Sequence, residues 1–364
     1  MRDLLEATAA LVAVPSVSHD ETALADHVMG RLAEMPWLEV DRIGDNVVAR
    51  TVLGRSSRLV LAGHLDTVPA NGNAVPRIRH DTLWGLGAAD MKAGLAVMLE
   101  LAGAVPEPAV DLTFAFYVAE EVARADNGLL AIAEVRPDLL AGDAAVLGEP
   151  TSAHIEAGCQ GVVNLEVTLG GRRAHTARPW RGLNAVHRLA PVLEAVASYD
   201  GRRPDIGGCR YHEALQAVHV AGGVAANVVP GEATLRLNHR FAPDRDAAGA
   251  DAALRALLEP LLVEGAGDRV RVLDVSPAAP PALDHPLLAA LLEATGRRPQ
   301  GKLGWTDVAF FAERGIPAVN FGPGDPELAH TAEERVAGAE LESVLDALTT
   351  LVGGDSPPTS GAGG

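Results

Sequence analysis

Arg58-Leu59-Val60-Leu61-Ala62-Gly63-His64-Leu65-Asp66-Thr67 decides how this chain is read. Its first half is an apolar run, and Pro69 with Gly72 closes it off. The pattern predicts a buried strand whose C-terminal end presents a histidine and an aspartate to a cleft. His64 and Asp66 are two residues apart, so on extended backbone both side chains leave the same face. A metal site needs neutral imidazole nitrogens and carboxylates converging on one point, and strand ends can supply them. A single His-x-Asp also occurs in surface turns, so its meaning depends on what other segments bring to the same edge.

Outward from this stretch, elements alternate. Helical spacing covers about Asp3 to Ala13 and Glu21 to Met35, with Thr8 on the first apolar face and Asp20 a candidate cap for the second helix. Strands are expected over Leu38–Ile43, Asn46–Val52 and Arg58–Gly63, then a helix from Met91 to Ala104. The run Leu112 to Ala119 is apolar on both faces, as a central strand covered by helices is. A helix over Asn127–Val135 and a strand over Ala144–Leu147 follow, and the alternation argues an α/β domain with a largely parallel sheet. From Gly161 the order becomes strand 162–169, helix 182–198, strand 215–221, strand 232–241, helix 247–263, strand 270–275. That is βαββαβ, the ferredoxin-like plan of a self-contained small domain. Pro277, Pro280 and Pro281 mark its end, after which helices 286–294, 307–314 and 338–352 and a strand 317–321 resume the first pattern. The expected organisation is therefore a catalytic domain at 1–162 and 278–352, an inserted domain at 163–277, and a Gly/Ser/Pro-rich disordered tail at 353–364.

The 364 residues suffice for two domains, with 48% hydrophobic residues but only 4% aromatic, so the core must be built from Ala, Val and Leu. A formal net charge of -18 leaves no electrostatic footprint for nucleic acid or an anionic membrane. Cys159 and Cys209 are too few for a disulfide framework, and neither stands in a CxxC. Charged residues Arg2, Asp3 and Glu6 interrupt any signal-peptide core, and no apolar run reaches membrane-spanning length. The expectation is a soluble, cytoplasmic globular protein, and the sign of its charge does not select a substrate.

Four further places put acids or a histidine at predicted strand ends. Asp90 ends a glycine-rich turn, Gly85-Leu86-Gly87-Ala88-Ala89-Asp90, and would by itself read as a helix N-cap. A dinucleotide fingerprint is rejected there, because the third glycine and the acidic ribose ligand are both missing. Glu120-Glu121 follows the long apolar strand, Glu149 ends the next, and His330 lies in the loop after the last. Each has a bland alternative as a solvated turn residue. Together, His64, Asp90, Glu121, Glu149 and His330 share one sheet edge. Five such donors exceed one tetrahedral zinc and suit two ions sharing a bridging carboxylate. No GxSxG nucleophile motif competes.

These residues, in order, spacing and context, resemble the M20 metallopeptidase/deacylase family. Supporting segments are Asp90-Met91-Lys92, Arg173 to Trp180, Ala226 to Pro230, Gly304-Trp305-Thr306-Asp307 and Asn320 to Gly324. Within the family the chain is most similar to succinyl-diaminopimelate desuccinylases of actinobacterial type. The resemblance implies a zinc-peptidase-like catalytic domain with a mixed, mostly parallel sheet, plus a lid and dimerisation domain. It implies two zinc ions, replaceable by cobalt or manganese, bridged by Asp90. His64 and Glu149 would complete one site, and Glu121 and His330 the other. Asp66 would orient His64 through its far nitrogen, and Glu120 would be the general base. His175 would reach an active site across a homodimer interface and stabilise the oxyanion. Arg178, Asn227, Arg240, Thr306, Gly322 and Gly324 would contact substrate, and the Asp90-Met91 peptide would be cis. The activity so implied is hydrolysis of N-succinyl-LL-2,6-diaminopimelate to succinate and LL-2,6-diaminopimelate, on the route to lysine and the cell wall. The alternatives are a related amidohydrolase, such as acetylornithine deacetylase or a dipeptidase, or a non-catalytic member.

Overall fold

In a computed structural model, which describes residues 2–353, the Arg58–His64 strand lies inside an eight-stranded mixed sheet. It pairs in parallel with Asp111–Tyr117 on one side and Ala144–Leu147 on the other. Ala318–Asn320 extends the parallel core beyond Ala144–Leu147. Glu39–Ile43 and Asn46–Arg50 add antiparallel strands beyond Asp111–Tyr117, and Glu156–Ala157 pairs antiparallel at the other side. Residues 59–64, 111–117 and 144–147 are buried throughout, the burial that continuous apolar strands require. Because the four central strands run in parallel, the segments leaving their C-terminal ends emerge at one edge of the sheet.

Helix Lys92–Ala104 packs against this sheet, and helices Arg2–Val12 and Gly338–Val352 pack against that helix. The contact is close because two glycines face each other. A Cβ at Gly94 would stand 2.2 Å from the Gly148 carbonyl oxygen, and one at Gly148 would stand 3.3 Å from the Gly94 Cα. Thr8, on the apolar stripe of the first helix, is buried and satisfied by donating to the Leu4 carbonyl at 2.7 Å. Asp20 does not cap the helix Thr22–Ala33; Glu21 occupies the N-cap position and sends its carboxylate to the Ala119 amide instead.

The chain divides into two units: one of residues up to Ala157, 282–300 and from Phe310, and one of Gly158–Pro281 and Gly301–Ala309. These limits differ from the expected 163–277, and the hydrogen bonds say why. Cys159 and Ala279 exchange main-chain bonds at 3.0 and 3.1 Å, Gln160 N–H donates to the Lys302 carbonyl at 3.1 Å, and the Trp305 indole donates to Pro277 at 3.1 Å. Thr306 therefore belongs to the second unit. Residues 354–364, most of the expected disordered tail, lie outside the described residues.

The second unit is built on a four-stranded antiparallel sheet in the order Ala214–Gly222, Glu232–Phe241, Gly161–Gly170, Arg269–Ser276. That order belongs to the ferredoxin-like plan. Leu189, Val192 and Val196 of helix Leu189–Ala197 and Ala250, Leu254 and Leu258 of helix Ala247–Leu258 join one core with inward residues of the strands. The expected helix 182–198 is shorter at its start. Leu183 bridges to Arg172, and the Asn184 side chain accepts from the Val186 and His187 amides, an alternative to helical bonding. A three-stranded sheet of Arg77–Arg79, Thr82–Trp84 and Arg335–Ala337 was not foreseen, because strands of three residues give no readable alternation.

Gly94→Ala should lower stability by about 1–3 kcal/mol, since its methyl group would press on backbone that cannot move aside. Urea unfolding followed by circular dichroism would measure this, and an unchanged midpoint would contradict the close packing.

Candidate metal centre

His64 is the last residue of its strand and is buried. Its Nδ1 lies 3.0 Å from the Asp66 carbonyl oxygen and 3.4 Å from Asp66 Oδ1, which leaves Nε2 facing Asp90 Oδ1 at 3.0 Å. Asp66 is fully buried and does more than face His64. It accepts from Ser18 Oγ at 2.8 Å and from the amides of Glu120 and Glu121, each at 3.0 Å. Burial opposes its charge, but His64 and those two amides hold the Asp66 carboxyl well below the usual carboxylate range.

Glu120 and Glu121 follow a turn in which Ala119 adopts φ 59, the left-handed region that non-glycine residues avoid. The Ala119 amide donates to Glu21 at 3.2 Å, so Glu21 and Asp66 together fix three successive peptides of this turn. Glu121 Oε1 meets His330 Nε2 at 2.8 Å, and the same nitrogen lies 3.6 Å from Asp90 Oδ2. The hydrogen bond to Glu121 pushes the His330 pKa up to about 9 against the effect of burial, with the charges of Glu121 and Asp90 adding to the rise. Burial works against a charge on His64, yet Asp66 and Asp90 raise it well above the ordinary histidine value.

The Asp90-Met91 peptide is cis. Met91, not Asp90, occupies the N-cap position of helix Lys92–Ala104, so the Asp90 carboxylate is not spent on capping. Donor atoms of His64, Asp90 and Glu149 lie within 4.8 Å of one another, as do those of Asp90, Glu121 and His330. Asp90 is common to both groups. A third group, His64, Glu120 and Glu121, places an oxygen of Glu120 beside them. Each of the first two groups offers one imidazole nitrogen and two carboxylate oxygens, a donor set that fits a divalent ion.

Gly322 and Gly324 stand on the loop that leads to His330, held by main-chain bonds and close packing. The Gly322 amide donates to Thr151 Oγ1 at 3.1 Å and the Gly324 amide to Glu340 at 2.9 Å, so both donors are already used. A Cβ at Gly322 would stand 2.4 Å from the Glu149 carbonyl oxygen, and one at Gly324 2.7 Å from the Ala89 Cβ. Glycine at these positions lets the loop before His330 lie against the backbone that carries Glu149 and Asp90.

The remaining expected residues belong to the second unit. His175 and Asn227 are exposed and adjacent: His175 bridges to Val228, and the Thr176 amide donates to the Asn227 carbonyl at 3.0 Å. The Ala177 amide donates to His175 Nδ1 at 3.0 Å, which assigns the proton of the neutral ring to Nε2. Arg178 is exposed one turn further on. Arg240 is half-buried, with Nε donating to Asn238 at 3.1 Å, and burial lowers its pKa. Thr306 is buried, and its carbonyl accepts from the Cys159 thiol at 3.7 Å.

A family model described as Peptidase family M20/M25/M40 matches residues 60–353. The chain belongs to this family. A relative from Mycobacterium tuberculosis, provisionally named succinyl-diaminopimelate desuccinylase DapE, is 49% identical over 97% of this chain and 98% of its own. A succinyl-diaminopimelate desuccinylase from Corynebacterium glutamicum is 42% identical over 96% of this chain and 95% of its own. Among solved structures, a tripeptidase from Staphylococcus aureus superposes with a TM-score of 0.79 at 20% identity, covering 96% of this chain and 97% of its own. An M20 metallo-carboxypeptidase from Sulfolobus solfataricus gives 0.77 at 16%, over 96% and 98%. Both share the fold. M20 membership implies use of a divalent metal, and the donor groups around Asp90 fit that use. No described helix is long and apolar enough to cross a membrane. Sequence reading missed Ser18 and Glu21, which carry no motif and act only through contacts with distant main-chain groups.

An ion can take His330 only as the neutral ring, and the metal-free ring, with a pKa of about 9, is protonated at neutral pH. Affinity on that side should therefore rise about tenfold per pH unit between pH 6 and 8 and level off only near 9. Chelator-buffered zinc titrations would show this, and a flat profile would contradict it. Asp66→Ala should lower activity about 10- to 100-fold while removing less metal than His64→Ala does. Comparing turnover with bound metal in the two variants tests the distinction.

Proposed function

We propose that this chain is a di-zinc amidohydrolase that cleaves N-succinyl-LL-2,6-diaminopimelate to succinate and LL-2,6-diaminopimelate. The observation that carries the chemistry is the pair of donor groups sharing Asp90, with Glu120 beside them. The substrate rests on relatives bearing that name, 49% and 42% identical over nearly the full length of this chain. In this reading His64, Asp90 and Glu149 hold one ion, and Asp90, Glu121 and His330 hold the other. Bound ions of this kind lower the pKa of a water towards about 7 and polarise the scissile carbonyl.

The protein residues do the rest. Glu120 takes the proton of the attacking water and returns it to the leaving amine. Its main chain is pinned through Asp66, which keeps its carboxylate beside the donor groups. His175, with its proton on Nε2, donates to the oxyanion, and Asn227, Arg178, Arg240 and Thr306 take the substrate's carboxylates and polar groups. His175 acts on the partner's site of a homodimer formed through the second unit. In support of that interface, strand Ala214–Gly222 is exposed along nearly its whole length, Val218 and Val220 included. Free, buried Cys159 and Cys209 fit the reducing cytoplasm proposed as its compartment.

Glu120→Gln should reduce turnover at least about 10²- to 10⁴-fold, with both zinc ions and the fold retained. Unchanged turnover would remove Glu120 as the base. A panel of N-succinyl-diaminopimelate, N-acetylornithine and simple dipeptides tests the substrate. The succinyl compound should give the highest kcat/KM, and finding it the poorest of the set would sink the assignment.

A further inference from the structure

Glu334 lies outside every motif of the chain, and it is buried. Its Oε1 accepts from the main-chain amides of Ala89 and Asp90, both at 3.0 Å. Its own carbonyl accepts from the Gly85 amide at 3.1 Å, and the Gly87 amide also bonds its carboxylate. One residue thus gathers most of the loop that delivers Asp90. A carboxylate out of water keeps its charge only where such donors replace hydration. Lys92, also buried and donating to the Val14 carbonyl at 2.7 Å, is close enough for its charge to act on Glu334.

On its other side Glu334 ends the segment that begins at His330. Its amide donates to the Thr331 carbonyl at 3.4 Å, and it directly precedes strand Arg335–Ala337. Asn73 reinforces the junction, donating to the Thr331 carbonyl at 3.0 Å while its own carbonyl accepts from the Leu86 amide at 2.9 Å. The loops of Asp90 and His330 therefore meet at Glu334. Two of the three donors in the Asp90, Glu121 and His330 group stand on those loops, against one of three in the other group.

We propose that Glu334 is a positioning residue that sets Asp90 against His330, and through them fixes the affinity of the ion on the His330 side. The inference rests on the two-ion reading above. A residue serving only as a fold staple would alter thermal stability and leave metal binding alone.

The test is zinc binding to the full chain under chelator buffering, with circular dichroism of the metal-free protein and the visible spectrum of the cobalt-loaded protein. Wild type should bind two ions. Glu334→Ala should bind the second at least about tenfold more weakly and lose the cobalt signature of that site. Glu334→Gln keeps an oxygen that can accept the Ala89 and Asp90 amides, and should retain both ions. If Glu334→Ala does not fold, Glu334→Asp carries the test, since it keeps the charge but withdraws the acceptor by one methylene; the same weakening is expected. Two ions bound with unchanged affinity in Glu334→Ala, or in Glu334→Asp where that replaces it, overturns the inference alone. So does a Glu334→Gln protein as weak as the alanine variant. A wild-type chain that never exceeds one ion overturns the two-ion reading itself, and this inference with it.

Discussion

Asp90, Glu120, Glu121 and Glu149 bring like charges to one end of one sheet. Within each group of three the donor atoms lie no more than 4.8 Å apart, and two unit charges at that distance repel by roughly 3 kcal/mol at an effective dielectric of about 20. That repulsion must be held by the scaffold, because the carboxylates are useful only while they stay together. The histidines relieve part of it: His64 and His330 are both pushed towards the charged form by the acids they face. Cations relieve it further, and metal affinity and proton loss from the rings are for that reason one coupled process.

The scaffold resists by fixing main chain as well as side chains. Asp66 accepts from the amides of Glu120 and Glu121, Glu21 from that of Ala119, and Glu334 from those of Ala89 and Asp90. Three buried or nearly buried acids thus orient the peptides that carry other acids. The arrangement is economical in one respect, since a carboxylate accepts several N–H groups at once and each bond to a charged acceptor is stronger than a neutral one. Close glycine contacts complete the frame: Gly94 on Gly148 sets the helix after Asp90 against the strand end before Glu149, and Gly322 lies against Glu149 itself.

Within the second unit, His175 and Asn227 meet through main-chain pairing, and Arg240 stands on strand Glu232–Phe241. Assigning Thr306 to this unit follows from four main-chain and side-chain bonds of 3.0–3.1 Å linking residues 159, 160, 277, 279, 302 and 305. The proline-marked boundary at 277 was a reading of local punctuation. The main-chain bonds from Cys159 and Gln160 join segments more than a hundred residues apart, and no local pattern records them.

By itself the sequence determined the α/β class, the ferredoxin-like insertion and the acids and histidines that the fold gathers around Asp90. Uninterrupted burial of strands such as Leu112 to Tyr117 needs a continuous apolar run, and a set of His, Asp and Glu at strand ends is visible whatever surrounds it. Helix Gly338–Val352 and strand Glu232–Phe241 were legible to the residue for the same reason, since periodicity is written locally. Only the tertiary structure decided that Asp66 serves two glutamate peptides as well as His64, and that Glu21 and Glu334 hold the peptides of Ala119, Ala89 and Asp90. Those roles are bonds between a side chain and a backbone amide far along the chain. Every residue carries the same amide, so the sequence bears no mark of which one is held.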